Sequence, residues 1–199
     1  MKYPSLTRRA ILASAASVVV LARASAAEWP SRPVTLVVPY AAGGHTDIMA
    51  RLLADYLSRS LGQAVLVENR PGAGGSIATA YVAGSAPDGH TLLFGSVAQI
   101  SIVPFVQKVR YNPDRDFIPV SIFGSGVIAL VANANVPIKT VAELISYAKA
   151  NPGKLNYSSA GFGSFSHLGG AMLAARAGID LMHVAYKGCV ACGAGCRHR

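Results

Sequence analysis

The chain has 199 residues, 52% hydrophobic and 14% charged, with 20 Gly and 11 Pro. That balance excludes a disordered chain, which combines low hydrophobicity with high charge, and a long coiled coil, which is rich in Glu, Lys and Leu. The net charge of +9 is gathered at the two ends, and from Glu28 onward 14 basic residues stand against 9 acidic ones without a basic cluster, so no nucleic-acid partner is expected.

Residues 10–22 (AILASAASVVVLA) form an unbroken run of apolar and small residues between Arg9 and Arg23. As a helix this run would span about 20 Å, short of the ~30 Å hydrocarbon core of a bilayer. A basic start, a short apolar stretch and a small-residue end match a secretory signal peptide over residues 1–27. Ala24-Ser25-Ala26 supplies the cleavage pattern, with the cut expected near Ala26 or Ala27. Thr7-Arg8-Arg9-Ala10-Ile11-Leu12 also resembles a twin-arginine signal, the alternative being an ordinary Sec signal with two adjacent arginines. Either route places the mature chain in the periplasm.

VTLVVPY (34–40) is a fully apolar, β-branched run of the kind that forms a buried parallel strand. From Thr46 to Leu61 the spacing turns helical. Ile48, Met49, Leu52, Leu53, Tyr56, Leu57 and Leu61 share one face, with Asp47, Arg51, Asp55 and Arg59 opposite. Thr46 or Asp47 is the expected cap and Gly62 the expected stop. A second strand is predicted over 64–69 (AVLVEN), then a turn from Arg70 to Gly75 and a short Ala-rich helix from Ser76 to Ala86. TLLFGS (91–96) reads as a third strand and Ala98 to Gln107 as partly helical. IPVSIF (118–123) and VIALVAN (127–133) read as two further strands. Thr140, with Glu143 three residues later, forms a capping box for a helix that ends at Asn151-Pro152-Gly153. LNYSS (155–159) is a strand, AGFGSFSHLGG leads into a helix from about Ser166 to Arg176, and HVAY (183–186) is the last strand. The recurrence of strand, Gly-rich turn and helix predicts an α/β fold with parallel sheet, in which ligands bind where strand C-termini meet helix N-termini.

Two of these turns carry candidate binding chemistry. In Pro39 to Asp47 (PYAAGGHTD), Gly43 and Gly44 let the backbone approach a ligand, and the helix start offers unpaired N–H groups to an anion. The structural alternative is a tight turn capped by Asp47. In Gly161 to His167 (GFGSFSH), the hydroxyls of Ser159, Ser164 and Ser166 and another helix start suit a carboxylate or phosphate. Here the alternative is a flexible loop with a Ser N-cap, and His167 by itself reads as a packed or capping residue. The sequence has no G-x-S-x-G, G-x-x-x-x-G-K-[ST] or H-E-x-x-H motif. Gly72-Ala73-Gly74-Gly75 opens like a dinucleotide fingerprint, but Ile77 stands where the third glycine belongs. No cofactor is expected.

The run from Val34 to Ser96, with VTLVVPYAAGGHTDIMARLL at its start and PDGHTLLFGS at its end, resembles the opening of the tripartite tricarboxylate transporter substrate-binding proteins, the Bug family. YNPDRDFIPVSIF, KTVAELISYAKANPGKLNYSSAGFGSFSHLGG and HVAYKG extend the resemblance over roughly Trp29 to Gly188. It implies an α/β, periplasmic-binding-protein type II-like fold. The first lobe, over 28–123, is complete or nearly so, and the second, over 124–188, is partial. It also implies a receptor without catalytic residues that binds a small carboxylate and delivers it to membrane permease subunits. The resemblance sets Tyr40, Ala41, Gly43, Gly44, Thr46 and Asp47 across a cleft from Ser159, Gly161, Gly163, Ser164, Ser166 and His167, with contributions from Gly74, Ser96 and Gln99. His90 departs from the family's usual tyrosine, and Ala185 from its usual proline.

Family members continue for another hundred-odd residues after Tyr186-Lys187-Gly188, where this sequence has CVACGAGCRHR (189–199). Cys189, Cys192 and Cys196, followed by His198, have spacing suited to zinc or an iron–sulfur cluster. One such knuckle without a partner does not make a site, and the tail reads as aberrant and out of frame, so no metal is expected. A second lobe interrupted there is expected to leave open strand edges that invite association. The rival function is a secreted serine hydrolase using Ser164 or Ser166 with His167. It requires a positioned acid and an oxyanion hole, which adjacency in sequence does not supply.

Overall fold

The computed structural model describes residues 28–188; the predicted leader and the Cys-rich tail lie outside the described residues. Val34–Val38 forms β1, the central strand of a three-stranded sheet of order β2-β1-β3. It pairs in parallel with β2 (Val65–Asn69) on one edge and β3 (Thr91–Leu93) on the other. With neighbours on both edges, β1 buries Val34, Leu36, Val37 and Val38 and leaves Thr35 partly exposed, so its run is apolar at every position but that one.

Helix α1 (His45–Leu61) crosses from β1 to β2 and lays Leu53, Ala54, Leu57 and Leu61 on Val34, Leu36 and Val65. Gly62 ends it in the left-handed region, at φ +64°. Ser58 then joins helix and strand: its hydroxyl donates to Ala54 O at 2.7 Å and accepts from Val65 N–H at 2.9 Å. Helix α2 (Ser76–Ala83) makes the crossover to β3 and buries Ala78 and Thr79 completely. The first crossover runs from β1 to β2 and the second back from β2 past β1 to β3, in opposite directions across the sheet, so the right-handed rule puts their helices on opposite faces. The strand order reverses at β1, and the loops after β1 and β3 leave neighbouring strand ends.

Past β3 the predicted helical stretch divides into α3 (Val97–Ser101) and α4 (Val103–Val106), broken at Ile102, whose backbone leaves the helical region. A short α5 (Pro113–Asp116) follows. Helix α6 (Val141–Ala150) starts at the expected cap: Thr140 Oγ accepts from Glu143 N–H at 3.2 Å. The Glu143 carboxylate reaches one residue further back than expected, to Lys139 N–H at 2.6 Å. A second, two-stranded parallel sheet pairs β4 (Asn156–Ser159) with β5 (Met182–Ala185) through α7 (Phe165–Ala177). Gly170 lets α7 lie close to β4, because a Cβ there would overlap the Tyr157 ring. Residues 32–188 belong to one compact unit, and residues 28–31 carry no helix or strand.

Two predicted strands are not formed. Residues 117–133 carry no helix or strand, and Ile118, Val120, Ile122 and Val127 are 89%, 81%, 90% and 98% exposed. The reason is the absence of a ladder partner: β-branched composition favours extended backbone, but a strand exists only where a neighbour takes its N–H and C=O groups. Among the described residues none lies alongside. From Phe117 to Ile138 there is also no charged side chain to oppose pairing with another chain. Sedimentation velocity should therefore show concentration-dependent association, suppressed by the double substitution Val120→Lys and Val127→Lys; a monomer at all concentrations would contradict this.

Candidate functional site

The loop after β1 is shaped by one carboxylate. Asp47, 3% exposed in the first turn of α1, accepts from Gly43 N–H at 2.8 Å and from Asn69 Nδ2 at 2.9 Å. Arg51, one turn on, grips both of its oxygens from Nε and Nη2, each at 3.0 Å. Asn69, at the end of β2, also donates to Tyr40 O at 3.1 Å, so the carboxylate, the strand end and the loop form one assembly. Gly44 is the N-cap and has no side chain to offer, which leaves capping to Asp47 reaching back from the third helical position; Thr46 does not cap. The hydrogen bond from Arg51, with those from Gly43 and Asn69, overcomes the burial penalty and holds the Asp47 carboxyl down at about 2. With its acceptor positions occupied, Asp47 is a builder of the loop rather than a contact for an anion.

A second node lies under the loops after β2 and β3. Gln99, fully buried on α3, donates from Nε2 to Tyr40 Oη at 2.9 Å and to Gly74 O at 3.0 Å. Its Oε1 accepts from Ser96 N–H at 2.8 Å and from Ser96 Oγ at 3.1 Å, closing a capping box at the start of α3. Tyr40 Oη and Ser96 Oγ meet at 3.3 Å. Three loops that follow three different strands are thus tied to one side-chain amide. Gly74 takes a left-handed conformation (φ +65°) and is covered by the other Gly-rich loop, since a Cβ there would overlap the Phe162 carbonyl.

In that loop Ser159 is wholly buried. Its Oγ accepts from Gly161 N–H at 3.1 Å and lies 3.2 Å from Gly161 O and 2.6 Å from His183 Nε2. Ser164 is the N-cap of α7 and accepts from His167 N–H at 3.3 Å. Ser166 Oγ accepts from Ala160 N–H at 3.1 Å and meets Ser164 Oγ at 3.2 Å. His167 Nδ1 accepts from Gly163 N–H at 3.3 Å. The serine-hydrolase reading finds no support here. Ser164 and Ser166 are engaged in shaping the loop, and His167 turns Nδ1 to the backbone rather than to a serine. The close Ser–His contact is Ser159 with His183, where the serine has no access to solvent.

The structure brings the two turns into one region but not face to face over their whole length. Ala41 N–H donates to Lys187 O at 3.3 Å, while Gly161 and Phe162 lie against Gly74. Of the expected binding residues, Tyr40, Ala41, Thr46, Ser96, Ser166 and His167 keep part of their surface exposed, and Gly43 is open. Gly44, Asp47, Gly74, Gln99, Ser159, Gly161, Gly163 and Ser164 are buried and build the walls. Sequence reasoning missed Asn69, Arg51 and His183. The last was within reach of strand alternation, because His183 pairs with Tyr157 in the β4–β5 register.

Residues 49–192 match the tripartite tricarboxylate transporter family receptor domain. The chain belongs to this family. A curated relative from Pseudomonas sp. strain P51, the UPF0065 protein in the tcbD-tcbE intergenic region, is 40% identical over 92% of this chain and 56% of its own length. The periplasmic binding protein BugD is 38% identical, with a TM-score of 0.72 over 84% of this chain and 56% of that one. A Rhodopseudomonas palustris protein solved with adipate is 37% identical, with a TM-score of 0.76 over 85% and 57%. MatC from Rhodopseudomonas palustris, solved with bound malate, is 37% identical, with a TM-score of 0.71 over 80% and 55%. These likenesses give the chain the α/β periplasmic-binding-protein fold, and the family and the structures it resembles are solute receptors. The chain spans about half the length of the curated relatives it matches. No helix of the described residues is long and apolar enough to cross a membrane, and no group of three or more His, Cys, Asp or Glu able to hold a metal occurs among them.

The Asp47 assembly makes a signed prediction. A carboxyl held at about 2, below the ordinary 3.8, contributes stability that is complete above about pH 4 and lost as pH falls towards 2. Asp47→Asn should therefore cost about 2 kcal/mol at pH 7, the size of a charge-assisted hydrogen bond. The gap from the parent should close between pH 4 and pH 2 in urea denaturation, and a gap independent of pH would refute the assignment.

Proposed function

We propose that the chain serves as an extracytoplasmic receptor for a small carboxylate, which it delivers to the membrane permease of a tripartite tricarboxylate-type transporter. The observation that carries this reading is the pair of Gly-rich turns, each leading directly into a helix start, with Tyr40, Thr46, Ser96 and Ser166 partly open beside them. First-turn N–H groups of a helix have no intrahelical acceptor, and the dipole there stabilises an anion by about 0.3–1 kcal/mol when exposed. Arg51, beside the first turn, is committed to Asp47 rather than free to clamp an anion. Backbone donors, hydroxyls and bridging water then carry recognition, which suits a mono- or dicarboxylate better than a phosphate. Adipate and malate in the two Rhodopseudomonas palustris structures are of this class. The three-stranded and two-stranded sheets serve in this reading as the cores of the two lobes, over 28–123 and 124–188. The leader-like first 27 residues and the periplasmic BugD support a periplasmic location.

Titration calorimetry of the chain with adipate, malate and their uncharged diamides tests the reading. The acids should bind and the amides should not. The double substitution Ser164→Ala and Ser166→Ala should weaken acid binding roughly tenfold, the worth of one to two hydrogen bonds. Equal affinity for acid and amide would sink the proposal.

A further inference from the structure

The Ser159–His167 loop rests on two histidines, one of which lies outside its motif. His183 of β5 holds Ser159 through the 2.6 Å contact at Nε2, and His167 of α7 holds Gly163 N–H at Nδ1. The two rings are 4.3 Å apart between centroids, tilted by 46°. From β4 the Tyr157 ring meets both, at 4.9 Å from His183 and 6.5 Å from His167, and from the loop Phe162 lies 4.6 Å from His167. The titratable groups facing one another are therefore Tyr157, His167 and His183. Among the described residues no ion pair joins a carboxylate to either ring; the histidine ion pair there is His90 with Asp88, in the turn before β3. Burial lowers the proton affinity of both rings, and for His183 the neighbouring His167 lowers it further.

The two histidines differ in what protonation does to the loop. An imidazolium has two N–H donors and no acceptor, so a proton on His167 Nδ1 breaks the bond from Gly163. A proton on His183 breaks nothing. Its Nε2–H donates to Ser159 Oγ, whose own proton turns to Gly161 O. His183 is thus the ring that can charge with the loop intact, provided that a negative charge arrives nearby. An opposite charge favours the ionised form of a neighbouring group. We propose that a carboxylate binding at the Ser159–His167 loop is accompanied by uptake of a proton at His183, so that affinity rises as pH falls through the histidine range. This rests on the receptor reading of the same loop. Because linkage is reciprocal, the ligand raises the proton affinity of His183 by the factor by which the proton raises affinity for the ligand.

Calorimetry of the chain with adipate at pH 6.5, in buffers of different ionisation enthalpy, reads the proton directly. The expected result is an uptake of about 0.3–0.7 proton per adipate, with Kd falling about three- to tenfold from pH 7.5 to pH 6.0. His183→Gln, whose amide can still donate to Ser159, should remove both the uptake and the pH dependence. In the unliganded chain, NMR titration should find the His183 midpoint below the ordinary 6.5 and shifted upward by His167→Gln. Adipate bound without proton exchange, a pH dependence that survives in His183→Gln, or a His183 midpoint indifferent to His167 would each overturn the inference while leaving the receptor reading intact. Failure of both adipate and malate to bind at any pH would overturn the receptor reading and this inference with it.

Discussion

The carboxamide of Gln99 is wholly buried, and both of its polar atoms have two partners. A buried amide left half-satisfied costs roughly 1–3 kcal/mol per missing bond, so its four bonds stand or fall together. Through them the Tyr40 hydroxyl, the Gly74 carbonyl and the start of α3 acquire fixed positions relative to one another. Gly75 is demanded by the same node, since a Cβ there would press on the Gln99 side chain and on Pro39. Tyr111 completes the arrangement from outside, donating from Oη to Gln99 O at 2.6 Å. The loops around the candidate site hold their shape because this amide has no solvent to turn to.

Asp47 does for the β1–α1 turn what Gln99 does beneath it. Both are polar groups withdrawn from water and saturated by partners on other elements, and both converge on Tyr40, one through its carbonyl by way of Asn69 and the other through its hydroxyl. The ring of Tyr40 is thereby held at both ends while part of its surface stays open. Preorganisation of that kind spares a ligand the ordering of the loop on binding. The second Gly-rich loop is held differently, by aromatic packing of Tyr157, Phe162, His167 and His183 and by the serine hydroxyls. Its supports include two histidines whose proton affinity burial lowers, whereas the first loop is held by the Asp47 carboxylate, kept down at about 2.

Residues 117–138 show how far composition reaches without a partner. The stretch is largely apolar and free of charge, with Phe123 packed edge-on against Phe94 at 5.7 Å, yet it carries no ladder. β1, of similar composition, is a strand because Val65–Asn69 and Thr91–Leu93 accept and donate along both its edges. The difference between the two segments is not propensity but neighbours.

Local pattern was enough to determine β1, α1 with its Gly62 stop, the Thr140 cap, the Ser N-cap of α7 and the parallel α/β class. Each of these is set by hydrogen bonds or spacing within a few residues, although α1 leaves Ile48, Leu52 and Tyr56 of its predicted apolar face exposed and buries Asp47 of the opposite one. The resemblance to a receptor family was legible as well, because long motifs at both turns carried it. Tertiary structure alone decided which of the site residues are walls and which are open, that Asp47 answers to Asn69 and Arg51, and that Ser159 answers to His183. It also decided that the segments at 118–123 and 127–133 stay unpaired. The Asn69 and His183 contacts join residues 22 and 24 positions apart in the chain. Whether such partners meet depends on strand register and on which face a helix crosses, and neither quantity is written in the spacing of any one segment.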